Sequence, residues 1–262
     1  MSDATSQNPY AVPASNLQEQ ATESEHLSIE QALSRGYTFS IGLLINEAWI
    51  MVKGSKGIIV AGFLVFYVTM FVTSLIANLV LGLLFNVLTT NALIIFITSQ
   101  LLSGIISSLV TYPILAGLSI IGVRRAAGQP FSFNEIFNHF NSTLPLLVIG
   151  VVYLVLTLLA IALGSVSFGL IFIPFTYLCV AYMLAIPLVV ERGLSPWQAL
   201  EASRKAITQH WFKAFGLFLL LGLIILISAI PLGIGLIWSM PLFVIACGVL
   251  YRTIFGVRSI AR

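Results

Sequence analysis

The sequence predicts an all-α, polytopic membrane protein: six transmembrane helices in three hairpins, joined by amphipathic cytoplasmic linker helices. Three observations lead there. First, three long runs lack Asp, Glu, Lys, Arg and His: 67 residues between Lys56 and Arg124, 51 from Phe140 to Val190, and 38 from Ala214 to Tyr251. A bilayer core of roughly 30 Å is crossed by about 20 apolar helical residues, so each run holds two spans and a turn. Second, charged residues make up 8% of the chain and mean hydropathy is +1.05, whereas soluble domains carry about 25% charge. Third, none of the 12 Lys and Arg residues falls at a hairpin turn. This extreme positive-inside bias directs both termini to the cytoplasm.

Residues 1–26 are polar, lack an apolar period and are expected to form a disordered acidic cytoplasmic tail. No cleavable signal peptide is expected, because an acidic polar segment precedes the first apolar run. Residues 27–56 read as an amphipathic cytoplasmic segment, 57–252 as the six-helix membrane domain and 253–262 as a basic cytoplasmic tail. Turns are expected at Phe85 to Asn91, Gly164 to Gly169 and Pro231 to Gly235. The shortest run, 214–251, also suits a re-entrant hairpin that does not fully cross.

Three segments open alike, at Ser28 with Gln31, Ser132 with Glu135, and Ser195 with Gln198. In such a box the Ser oxygen accepts from the backbone N–H three residues on, while the Gln or Glu reaches back to the first residue. Each box predicts a helix start, with Phe131 and Ile136 stapling the second. Pro196 suits the first helical position of the third. Beyond it, Trp197, Leu200, Ile207 and Trp211 recur at helical spacing, with Glu201 and Lys205 as an i,i+4 pair. This helix is expected to lie in the interface, with Trp197, Leu200, Arg204, Lys205, Trp211 and Lys213 engaging anionic lipid or a partner.

The hairpins resemble one another: Pro113 precedes Arg124, and Pro241 precedes Arg252, by eleven residues. At 1.5 Å per residue both prolines lie roughly 16 Å deep. With Pro174 and Pro187 they read as kinks, and as hinges if a ligand binds there. Gln100, Ser103, Ser107 and Thr111 share a face of the second span. This stripe reads first as close helix packing and second as the lining of a narrow pathway for a neutral or amphipathic solute. Gln100 is the member packing explains least.

Little suggests catalysis. No ionisable residue falls inside the runs, where a coupled carrier would place one. Glu135 and His139 could share a helix face as an acid/base pair, but the capping role already accounts for Glu135, and no nucleophile or third ligand is recognisable. Cys179 and Cys247 sit in apolar runs without metal-binding spacing and read as packing residues. No metal, cofactor or enzymatic activity is expected. A net charge of +3 and pI near 9.0 reflect membrane anchors, since the bases do not form the basic patch a nucleic acid would need.

The segment from Pro187-Leu188-Val189-Val190-Glu191-Arg192-Gly193-Leu194-Ser195-Pro196-Trp197 through Gln198-Ala199-Leu200-Glu201-Ala202-Ser203, continuing to Trp211 and Phe215-Gly216-Leu217-Phe218, resembles YciC-like bacterial inner-membrane proteins. It is also similar to the membrane domain fused to some glycerophosphodiester phosphodiesterases. The likeness covers about Ile41 to Arg252 in architecture and about Ile186 to Gly222 in residues. It implies a six-helix domain with amphipathic linkers and carries over no catalytic residues. The chain is expected to be too short for a phosphodiesterase domain. The function expected is therefore a non-enzymatic envelope module that contacts membrane lipids, another copy of itself or a membrane protein, with transport of a solute as the alternative.

Overall fold

The computed structural model describes residues 28–164 and 169–258; the predicted tail 1–26, part of the second turn and the last four residues lie outside them. The first charge-free run folds as α3 (Lys56–Leu88) and α4 (Ala92–Ala126), preceded by α1 (Ile29–Arg35) and α2 (Ile41–Val52). Two 3-10 turns, Phe133–Phe137 and Phe140–Ser142, lead into α5 (Thr143–Gly164). The fourth span is split into α6 (Phe172–Ala181) and α7 (Ala185–Arg192), and α8 (Pro196–Thr208) follows. A final hairpin, α9 (Trp211–Ala229) and α10 (Leu236–Phe255), closes the order. Six segments are long and apolar enough to cross a membrane, making this a multi-pass membrane protein.

Local chemistry sets these boundaries. Ser28 and Ser195 form complete capping boxes with Gln31 and Gln198, as predicted. The middle box does not form: Ser132 makes no capping bond and a 3-10 turn replaces the α-helix. The carboxylate of Glu135 bonds instead to Arg124 on α4, a charge-assisted contact roughly twice as strong as a neutral one. Ile136 beside it is fully buried against Gly62 and Gly117, whose missing side chains leave room for it. Tertiary contact thus overrides the local helix signal.

The bundle is knit around α4. On one side α3 pairs with it through a polar ladder: Asn78 Nδ2 donates to Ser103 Oγ at 2.9 Å, and Ser74 and Ser107 share a hydrogen bond at 3.0 Å. On the other side α10 crosses it at two glycines. A Cβ built on Gly248 would lie 2.2 Å from the Gly122 carbonyl oxygen, and one on Gly122 would lie 2.4 Å from that of Val244. Such backbone-to-backbone approach is how helices pack in lipid, where no hydrophobic force drives them together.

From that crossing, α4 continues for about 45 Å to Ala92 and α10 for about 18 Å to Leu236, at 1.5 Å per residue. The hairpin tips differ in chemistry accordingly. Asn91 caps α4 at the first, accepting from the N–H groups of Leu93 and Ile94. The third tip is apolar, with Leu232 97% exposed. Its N–H groups at Leu232, Gly233, Ile234 and Leu236 all bond within the turn, which suits a turn surrounded by hydrocarbon.

The break in the fourth span has a specific closure. Pro187 lacks the N–H that would bond to Met183, and the chain turns at Tyr182 to Leu184. Ser203 of α8 spans the gap: its hydroxyl donates to the Ala181 carbonyl at 2.6 Å and accepts from the Leu184 N–H at 3.2 Å. Ser203 is fully buried. The predicted kink at Pro187 is therefore a site where a neighbouring helix completes the backbone of the span.

Candidate functional site

Arginines at the charged end of the bundle cap the carbonyl ends of neighbouring helices. Arg125 of α4 donates to Met51 and Lys53 at the end of α2, at 2.9 and 2.8 Å. Arg252 of α10 donates to Ala126 at the end of α4 and to Glu47 at 2.6 Å. Arg192 of α7 donates to Phe255 at the end of α10, and Tyr251 and Arg192 both engage Glu191. A cation at a helix carboxyl end satisfies orphan carbonyls and opposes the negative end of the macrodipole. Residues that the sequence marks as membrane anchors thus also link α7, α10, α4 and α2 into one charged end.

Glu135 and His139 lie in the same region. Arg124 holds one carboxylate oxygen of Glu135, and His139 Nε2 lies 3.7 Å from the other, beyond hydrogen-bonding distance. That nitrogen is buried and makes no hydrogen bond. Arg124 and Glu135 thus form an ion pair with the His139 imidazole beside it. Among the described residues no group of three His, Cys, Asp or Glu is placed to hold a metal. Replacing Glu135 by Ala is expected to cost about 2 kcal/mol, less than a fully enclosed pair because Arg124 keeps some solvent contact. Thermal unfolding in detergent, with Glu135→Asp as the partial rescue, checks this; an unchanged midpoint for Glu135→Ala contradicts it.

The expected interfacial helix, α8, divides its predicted residues between two faces. Trp197, Lys205 and Lys213 are exposed, with Trp197 at 73%. Arg204 is partly exposed and grips Glu201 through two 2.8 Å bonds, which hold the Glu201 carboxyl below its ordinary pKa. Leu200, expected at the same surface, is instead buried inside the bundle. The face that packs inward is formed by Ala199, Ala202, Ser203 and Ala206 with Leu200 and Ile207, because small side chains let α8 approach α6 and α7 closely. Trp211 belongs to α9, half-buried and stacked on Phe215, with its indole N–H buried and unbonded. Next to Trp211 on α9, Phe212 is 83% exposed, a residue that sequence reading passes over. Its position one residue before Lys213 is the signal available in the sequence.

On the other flank, Tyr37 and Gln209 tie α8 to the amino-terminal segment. Tyr37 donates to the Ala206 carbonyl and Gln209 to that of Leu33. Burial pushes the Tyr37 phenol up to about 12, which keeps it a donor.

The polar stripe on α4 also divides. Ser103, Ser107 and Thr111 are buried, the first two bonded across to α3 and Thr111 bonded to the carbonyl of Ser107. Gln100 is exposed and lines a lateral cleft with Ser108, Tyr112, Tyr153 and Thr157 between α4 and α5. The sequence reading does not single out Asn78 and Ser74, the partners of the stripe; the hint it offers is Asn78, one of two asparagines on α3, eight residues before Asn86. No family model, curated protein or solved structure matches the chain.

Proposed function

We propose that the protein is a non-enzymatic, multi-pass inner-membrane module of the YciC-like kind, with both termini cytoplasmic, that engages lipid through the outward face of α8 and the start of α9. One observation carries this reading: Trp197 and Lys205 stand exposed on α8, and Phe212 and Lys213 at the start of α9, while the opposite face of α8 is locked into the bundle. Aromatic rings at headgroup level with flanking lysines suit an anionic leaflet. The alternative, solute transport along Gln100, Ser103, Ser107 and Thr111, has less support, since the hydroxyls of Ser103 and Ser107 are occupied by α3.

The test places an environment-sensitive dye at Gln198→Cys, with Cys179 and Cys247 replaced by alanine, in nanodiscs of phosphatidylglycerol or phosphatidylcholine. Shielding from aqueous iodide should be greater on phosphatidylglycerol. Lys205→Glu with Lys213→Glu should reduce that preference about fivefold or more, since each basic residue at an anionic surface contributes roughly 1 kcal/mol. Equal quenching in both lipids, with no effect of the double variant, would refute the reading.

A further inference from the structure

Two cavities adjoin inside the bundle, and they differ in chemistry. The first, of about 230 Å³, is almost wholly apolar and is enclosed by α3, α4, α7, α9 and α10, with Leu115, Ser119, Pro187, Met240 and Cys247 on its walls. The second, of about 180 Å³, lies at the charged end and is lined by Arg124, Gln129, His139, Glu191 and Arg258. Val123 lines both. The walls also continue from one to the other along α7, from Leu184 and Pro187 to Val190 and Glu191. An apolar space therefore adjoins a polar one, at the level where the helices meet the charged boundary.

The charges of the second cavity favour an anion. Arg124 is matched by Glu135, and Glu191 by Arg192. Arg258 is exposed, and among the described residues its guanidinium makes no ion pair within 4 Å. Its backbone, by contrast, is fixed: the N–H donates to Glu191 at 2.8 Å and the carbonyl accepts from Gln129 at 2.6 Å. Among the described residues the site thus holds one cation without an ion-pair partner, on an anchored backbone, and His139 is one of the residues on its wall. A phosphate ester accepts from both guanidinium and amide donors, and basic pockets between membrane helices on the cytoplasmic side suit anionic headgroups.

We infer that these cavities form one binding site for a membrane lipid with an anionic phosphate headgroup, an acyl chain occupying the apolar cleft and the headgroup meeting Arg258 and Gln129. The site builds on the lipid-engaging reading but uses none of the α8 residues, so either can fail alone. Arg258 is the headgroup-selecting residue, and Cys247 of α10 and Ser119 of α4 both line the tail cleft.

The experiment is native mass spectrometry of the full chain, delipidated in detergent and titrated with dioleoyl phosphatidylglycerol, dioleoyl phosphatidylcholine or inorganic phosphate. One tightly bound phosphatidylglycerol is expected, with phosphatidylcholine weaker by about fivefold or more and phosphate not competing at equal concentration. Arg258→Gln should weaken phosphatidylglycerol about fivefold and bring the two lipids level. Cys247→Phe fills the cleft and should remove both lipids; Ser119→Phe does so from α4, should the first variant fail to fold. Lys205→Glu with Lys213→Glu should leave this stoichiometry unchanged. Equal binding of the two lipids by the unaltered chain, full competition by phosphate, or undiminished binding by a folded cleft-filling variant would each overturn the proposal.

Discussion

Gly248→Leu is expected to leave no folded protein in detergent, and Gly248→Ala to cost about 3 kcal/mol, the upper part of the range for overpacking. The reason lies in the crossing of α4 and α10. A methyl group at Gly248 would meet the Gly122 carbonyl carbon at 2.3 Å and oxygen at 2.2 Å, and neither atom can swing away as a side chain would. Relief requires moving α10 bodily. That movement would also pull Arg252 from the carbonyl of Ala126 and Phe255 from Arg192. Gly104 supplies the control, because a Cβ there meets nothing within 4 Å. Gel filtration and thermal unfolding read both variants; a Gly248→Leu chain that elutes and melts like its parent would show that the crossing is not closely packed.

Ser203→Ala should lower stability by about 2–4 kcal/mol, because it leaves two buried backbone groups bare at roughly 1–3 kcal/mol each. The Ala181 carbonyl and the Leu184 N–H lie where Pro187 has interrupted the helical ladder, and the hydroxyl serves both. In a membrane-embedded segment no bulk water replaces it. For a domain of this size the shift corresponds to a melting temperature lower by about 5–15 °C. Ser203→Cys keeps a weak donor and acceptor at similar volume and should fall between the two. If Ser203→Ala melts with the parent chain, the hydroxyl does not bridge the break. Ser108, whose hydroxyl bonds only to its own helix, is the matched control and should change little on substitution by Ala.

Much of the architecture was legible because lipid imposes simple rules. Length and absence of charge determine a span, and Gly, Pro or Asn marks its turn, so the three hairpins could be read from residues alone. Two capping boxes formed for the same local reason: donor and acceptor lie three residues apart. The middle box, at Ser132, does not form because Glu135 has a stronger partner in Arg124, eleven residues away in sequence and on another helix. Leu200 was assigned to the surface by weighing bulky apolar residues, whereas burial followed the alanines and Ser203 that permit close approach. The same bias hid Asn78, since two amides eight residues apart, Asn78 and Asn86, give no periodic signal in an apolar helix.

By itself, the sequence determined that this chain lies in a membrane, how many helices it can span with and where its charges gather, because transfer of each residue between water and hydrocarbon is an additive property of composition and order. Tertiary structure alone decided what those charges and small residues do. Arg252 became a cap for α4, Ser203 a bridge across a broken span, and Gly248 a point of backbone contact, because hydrogen bonds and close packing depend on partners that are far apart in the chain and adjacent only after folding.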